Sequence, residues 1–146
     1  MICVGLELQY WRFVKDDIEQ TLAGGYSGAT ADDLYQRIID KDVQLWAIHD
    51  NGDMRAVMTT EIVNYKRKKA VRIITVTGKN ADEWLDVLID TISRWGAENG
   101  CTSLEFVGRN GWEKVLRKKE FGNTQIFMER PIKCRDGTGE INNALS

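Results

Sequence analysis

The sequence predicts one domain of the α/β (α+β) class, with a central mixed, mostly antiparallel sheet flanked by about four helices, and three observations predict it. Short apolar runs, several of them β-branched, are separated by turn residues, as strands require. Other segments place apolar residues at helical spacing, and three of them open with Thr or Asn followed three positions later by Asp or Glu. Finally, 146 residues with 42% hydrophobic and 29% charged side chains are enough to bury a single core without a metal or disulfide.

Taken in order, Ile2, Val4 and Leu6 alternate as in a strand, and Trp11, Val14, Ile18 and Leu22 then recur at helical spacing until Gly24-Gly25. After Tyr26-Ser27-Gly28, the box Thr30-Ala31-Asp32-Asp33 leads into a second helix with Leu34, Tyr35, Ile38 and Ile39. A three-strand meander follows. Its first strand, residues 43–49, runs into Asp50-Asn51-Gly52-Asp53, where Asn-Gly supplies the positive φ angles of a tight hairpin. The return strand covers residues 54–63, a basic turn spans 65–69, and a third strand covers 70–77. Asn80-Ala81-Asp82-Glu83 reads as another capping box, opening a helix with Leu85, Leu88, Ile92 and Trp95 inward and Asn99-Gly100 at its end. Residues 104–107 form a short strand at crossover spacing. Asn110-Gly111-Trp112-Glu113 caps a last helix, residues 124–129 a last strand, and Pro131 ends it. The domain is expected to occupy residues 1–132, and residues 133–146, rich in Gly, Asn and charge, a flexible tail.

Several function classes are excluded or weakened by composition. A net charge of -2 provides no overall positive field for nucleic acid, so none is expected as a partner. Cys3, Cys101 and Cys134 are odd in number, far apart and without a CxxC pair, which fits neither a disulfide framework nor a zinc site. No metal is expected, and a reducing cytoplasm, of a host or around a virion protein, suits these thiols. No stretch approaches the ~20 apolar residues of a membrane span, and the first 13 residues lack a basic lead.

The element order β-α-α-β-β-β-α-β-α-β resembles that of the GNAT (N-acetyltransferase-like) superfamily over residues 2–131. So do Leu45-Trp46-Ala47-Ile48 with its hairpin, the loop at Gly78 opening a long helix, and Gly108-Arg109-Asn110-Gly111-Trp112 followed by Phe121-Gly122. The last stretch looks like that of small GNAT-like proteins of phages and prophages. The resemblance implies that the strand over residues 70–77 parts from its neighbour to admit the arm of acetyl-CoA, with the diphosphate on the next helix N-terminus. Val76, Thr77, Gly78, Lys79, Asn80, Ala81 and Asp82, with Asn110, are then the cofactor-binding residues. The family's loop pattern is Gln or Arg, two residues, Gly, one residue, Gly or Ala. Here Thr75 stands first and Asn80 last, and only Gly78 agrees, so the loop is degenerate. An Asn80 cap would also take an amide that a phosphate wants, and Asp82 and Glu83 add negative charge beside it.

Acyl transfer to an amine needs a base, and family members commonly use a strand carboxylate, for which Glu61 and Glu105 stand. Each also has the plain reading of an ion-paired glutamate. The family's tyrosine on the last helix is missing, since no Tyr follows Tyr65, and water must protonate the leaving thiolate. The one histidine, His49, closes a strand with no Ser or Cys beside it. Cys101 follows a helix C-terminus, which discourages a thiolate, and most of the tryptophans read as core. The resemblance thus implies an acyl-CoA-dependent N-acetyltransferase acting on an amine. The alternative is a catalytically inactive GNAT-like phage accessory or virion protein working through a phage or host protein partner. Basic clusters at residues 66–69 and 117–119 would make a nucleic-acid or acidic-partner patch only if they lay together.

Overall fold

The computed structural model describes residues 2–6, 11–23, 29–106, 115–122 and 130–132. Along them run β1 (Ile2–Leu6), α1 (Trp11–Ala23), α2 (Ala31–Ile39), β2 (Val43–Asp50), β3 (Asp53–Asn64), β4 (Lys69–Gly78), a 3-10 turn (Ala81–Glu83), α3 (Leu85–Glu98) and β5 (Ser103–Phe106). These match the expected order as far as β5. A helical turn follows at residues 115–117. Asn110, its capping box, the strand at 124–129 and the tail from residue 133 lie outside the described residues.

Each helix arises where its apolar spacing puts a stripe on one face. In α1 the buried residues are Trp11, Val14, Ile18 and Leu22, one turn apart each time. The capping box of α2 forms as expected: the Thr30 hydroxyl accepts from the Asp33 amide at 3.2 Å, and the Asp33 carboxylate accepts from the Thr30 amide at 3.2 Å. Glu19 of α1 accepts from the Ala31 amide, tying the two helices together at the start of α2. Only Ile39, half exposed, departs from its inward expectation in this helix.

Strand order in the sheet is β1-β2-β3-β4-β5, antiparallel through β4 and parallel between β4 and β5. The β2–β3 hairpin turns on Asn51 and Gly52, at φ 52° and 87°. Both faces are covered, which is why β2 reads as a continuous apolar run rather than an alternation. Val43, Leu45 and Val57 pack under α1 and α2, while Trp46, Ile48, Met58 and Ile73 pack under α3. Trp46 meets Trp95 edge-on at 5.4 Å between ring centres. The parallel crossover through α3 needs a close approach, and Gly96 allows it: a Cβ there would lie 2.7 Å from Val71 Cγ2. Among the described residues, no helix is long and apolar enough to cross a membrane.

Candidate functional site

The site is set by a change in β4 halfway along its length. Its first residues are laddered on both sides, to β3 and, through Ala70–Ser103, Val71–Leu104, Arg72–Glu105 and Ile73–Phe106, to β5. Beyond Ile73 the described residues pair β4 with β3 alone, up to Gly78. The register slips at the same point: Thr60 faces Ile73 and Thr59 faces Thr75, so Ile74 is an extra residue, a bulge. Ile73 packs under α3, whereas Ile74 packs under α1 and α2, beside the fully buried Thr75. Two neighbouring side chains thus share one face, and the strand carries a local kink at Ile74.

Buried hydroxyls support that bend. Thr59 and Thr75 share a 2.6 Å hydrogen bond on one face. On the other, Thr60 accepts from the Trp46 indole at 2.9 Å and donates to Gln44 at 2.8 Å. Thr75, the departure from the family's Gln or Arg, is therefore a satisfied core residue at the bulge.

At the far end of β4 the loop differs from expectation. Asn80 adopts the left-handed conformation (φ 57°, ψ 54°) and makes no side-chain cap bond, so the capping box at Asn80 does not form. A capping side chain needs extended backbone at the cap position, which a left-handed residue lacks. The chain instead makes the 3-10 turn, with Glu83 N–H on the Asn80 carbonyl at 2.9 Å and Trp84 N–H on the Ala81 carbonyl at 3.2 Å. The α-helix starts only at Leu85. Trp84 drives this: fully buried under the sheet, it donates its indole N–H to the Lys79 carbonyl at 2.8 Å and pulls the loop down onto the core. Among the described residues, no acceptor is bonded to the Ala81 or Asp82 amides.

Gly78 serves packing here. Its φ is +154°, and a Cβ would lie 2.5 Å from the Ala56 Cβ and 2.8 Å from the Arg55 carbonyl oxygen. Side-chain charge around the loop is mixed: Lys79, Asp82 and Glu83 are exposed, and Lys119 meets Asp86, in the first turn of α3, at 2.6 Å. Val76 and Thr77 are half-buried on the approach to Gly78.

The two candidate carboxylates meet through a residue that sequence reasoning passed over. Glu61, Arg72 and Glu105 stand directly opposite one another on β3, β4 and β5. The Arg72 Nε donates to Glu105 at 3.1 Å, its NH1 lies 3.7 Å from Glu61, and its NH2 donates to the Tyr65 hydroxyl at 3.0 Å. From α2, Arg37 donates to Glu61 at 2.9 Å. The row sits on the α1/α2 side of the sheet, one residue pair from the end of the β4–β5 ladder. Tyr65 is pushed above the usual phenol range, first because its hydroxyl bonds to Glu105. Burial alone would lower Arg72, but its bonds to Glu105 and Tyr65 more than reverse that and raise it. No spacing in the sequence reveals this row, because the turn after Asn64 sets β3 against β4 and the crossover through α3 sets β5 against β4.

Other candidates are accounted for by place. His49 pairs with Met54 beside the hairpin, and Cys101 is partly exposed, its amide on the Gly96 carbonyl at 2.8 Å. The 66–69 turn precedes β4 while Lys119 docks at the start of α3, so the two basic clusters lie toward opposite ends of β4 and form no common patch. Among the described residues, no group of three His, Cys, Asp or Glu could hold a metal.

No family model matches the chain, and no curated protein matches it in sequence. Solved structures do match. A predicted acetyltransferase from Clostridium acetobutylicum, solved with acetyl-CoA, superposes with a TM-score of 0.69 at 11% identity, over 90% of this chain and 96% of that one. The chain has the GNAT fold. Glucosamine-6-phosphate N-acetyltransferase from Arabidopsis thaliana matches with a TM-score of 0.62 at 16% identity, over 90% of this chain and 98% of that one. AAC(6')-Iy in complex with the bisubstrate analog CoA-S-monomethyl-acetylneamine matches with a TM-score of 0.67 at 15% identity, over 92% and 99%. Gly78 itself is demanded by packing against Ala56.

Proposed function

We propose that the chain is a GNAT-type N-acetyltransferase that takes an acetyl group from acetyl-CoA and passes it to an amine. The observation that supports this best is the Ile74 bulge in β4, beyond which, among the described residues, the stretch up to Gly78 is paired with β3 alone. A strand edge of that kind offers amides and carbonyls to an extended, amide-containing arm, as an added strand would. Solved neighbours whose titles name acetyl-CoA or a CoA analog point the same way.

The residues present fit the donor in backbone more than in side chain. Ala81 and Asp82 keep amides without an acceptor among the described residues, and Asn80, turned left-handed, does not consume them. Val76, Thr77 and Gly78 would line the arm, and Lys79 and Asn80 the diphosphate; Asn110 is proposed with them on the resemblance alone. When bound, the donor supplies a thioester carbonyl open to attack by nitrogen.

The protein's own chemistry then concerns protons. Glu105 is one residue from the end of the ladder, and Glu61 is its neighbour across Arg72. Both lie beside the Arg72 guanidinium, and either is a carboxylate that can take a proton from an incoming ammonium. The freed amine nitrogen forms the new N–C bond as the C–S bond breaks, and the nitrogen's second proton passes through water to the departing sulfur. Free thiols such as Cys101 suit a reducing, cytoplasmic setting for this reaction.

A second reading, a GNAT fold without activity that docks a phage or host protein, is favoured by Asp82, Glu83 and Asp86 standing at the diphosphate end. One titration separates them. Acetyl-CoA is expected to raise the melting temperature in proportion to the logarithm of its concentration, and to release thiol in the presence of an amine. No shift under conditions where an established acetyltransferase responds removes the enzymatic reading and leaves the second.

A further inference from the structure

The row on the acceptor side of β3–β5 is balanced in charge: Glu61 and Glu105 against Arg37 and Arg72. That balance bears on which amine can bind. A polyamine or a lysine-rich segment gains from a surface that is acidic throughout, where each added cation finds an unpaired carboxylate. Here every carboxylate already has a guanidinium beside it, and a polycation would meet two arginines as well. A substrate carrying one ammonium and one carboxylate has no such conflict.

Spare bonding capacity sharpens the point. Glu61 accepts from Arg37 through Oε2, whereas its Oε1 faces Arg72 at 3.7 Å, beyond hydrogen-bonding distance. Glu61 is mostly shielded, its side chain 16% exposed, and this oxygen accepts no hydrogen bond among the described residues. Arg37, 45% exposed, gives only NH1 to Glu61; its remaining donors have no partner among the described residues. A planar fork of that kind binds carboxylates in two-point fashion. With Arg37 NH1 and Glu61 Oε2 only 2.9 Å apart, an ammonium acceptor and a carboxylate donor lie side by side, as the two charged groups of an α-amino acid do.

We infer that the acceptor is a free α-amino acid, its ammonium on Glu61 beside Glu105 and its carboxylate on Arg37. This rests on reading the 74–78 stretch of β4 as the donor side of the proposed acetyltransferase. It assigns Arg37 to substrate selection, a role that a merely structural salt bridge would not have.

The test has two arms. In the first, acetyl-CoA alone is titrated into the full-length protein by calorimetry. In the second, thiol release and product mass are measured for the twenty free amino acids, each beside its own amide, and for spermidine. The expected result is donor binding together with at least one amino acid preferred about tenfold or more over its amide in kcat/KM, through KM. Arg37→Gln is expected to narrow that ratio toward one by raising KM for the amino acid, and Arg37→Lys to restore it in part. Donor binding with amides or spermidine used as well as any amino acid, with no acetylated amino acid formed, or with a ratio unmoved in Arg37→Gln, overturns the inference and leaves the acyltransferase reading standing. Failure of donor binding overturns both.

Discussion

The two halves of β4 are built on opposite principles. From Lys69 to Ile73 the strand is hydrogen-bonded on both sides and clamped by the Arg72 row, so its backbone has no capacity left for a ligand. After Ile74 it is paired, among the described residues, to β3 alone and ends in a loop held from beneath by one indole. A single inserted residue divides them. Rigidity on one side of a bulge and free backbone on the other is how a sheet can hold a site without losing its core.

The largest test of this contrast lies at Gly78. Replacement by alanine puts a methyl group 2.5 Å from the Ala56 Cβ, at a φ of +154° that side chains rarely adopt. Relief means moving β3 or the loop, at a cost of about 3 kcal/mol, read as a fall in denaturation midpoint. The consequence is practical. A loss of donor binding in a Gly78 variant reports on the sheet, and Lys79 or Ala81 is the position at which to probe the loop itself. A Gly78→Ala protein as stable as the parent would show that the loop end of β4 is free to shift.

Next comes Trp84→Phe, which keeps an aromatic ring in the core but removes the bond to the Lys79 carbonyl. Loss of a buried hydrogen bond together with some packing costs about 2 kcal/mol. Amide exchange is expected to rise in residues 79–83 and to stay unchanged in residues 69–73. Equal loosening of both stretches would mean that the halves are one cooperative unit after all.

Much of the scaffold was legible in the sequence, for reasons that differ from residue to residue. Trp11, Val14, Ile18 and Leu22 are buried because helical spacing is a local property, and Thr30 and Asp33 cap α2 because both partners lie within one turn. The same pattern at Asn80 and Glu83 failed, since Trp84, wholly buried, imposes a tertiary demand that outweighs a cap worth about 1 kcal/mol. For the site, Glu61 and Glu105 could be named from their strands, but not as neighbours. Arg72, Arg37 and Tyr65 join them only once β3, β4 and β5 are in register, and the β4–β5 register is set by a long-range crossover that no local pattern announces.

The lower half of β4 is next broken by Arg72→Met. The shape is nearly kept, Glu61 retains Arg37, and Glu105 loses its cation while staying largely shielded, its side chain 20% exposed. A loss of about 1 kcal/mol is expected, small because the row is partly solvated. Acetyl-CoA affinity should not change, whereas acetyl transfer should fall, because Glu105 loses the 3.1 Å bond to Arg72 that positions it. An unchanged rate would confine Arg72 to the architecture.

The smallest effect concerns Tyr65, whose phenol is raised by its bond to Glu105 although the ring is exposed. A group with a folded pKa above its unfolded value contributes stability that is fully present below the unfolded pKa, near 10 for tyrosine, and is lost as pH rises through the folded one. Stability measured from neutral pH upward should therefore begin to fall near pH 10, and Tyr65→Phe should flatten that fall slightly while leaving the neutral value almost unmoved. Absorbance titration gives an independent check, since the phenol missing from the variant should be one that ionises late. If the missing phenol ionises early, Tyr65 is not bound to Glu105 in solution. The row would then end at Arg72, and Glu105 would have one fewer hydrogen bond holding it in place.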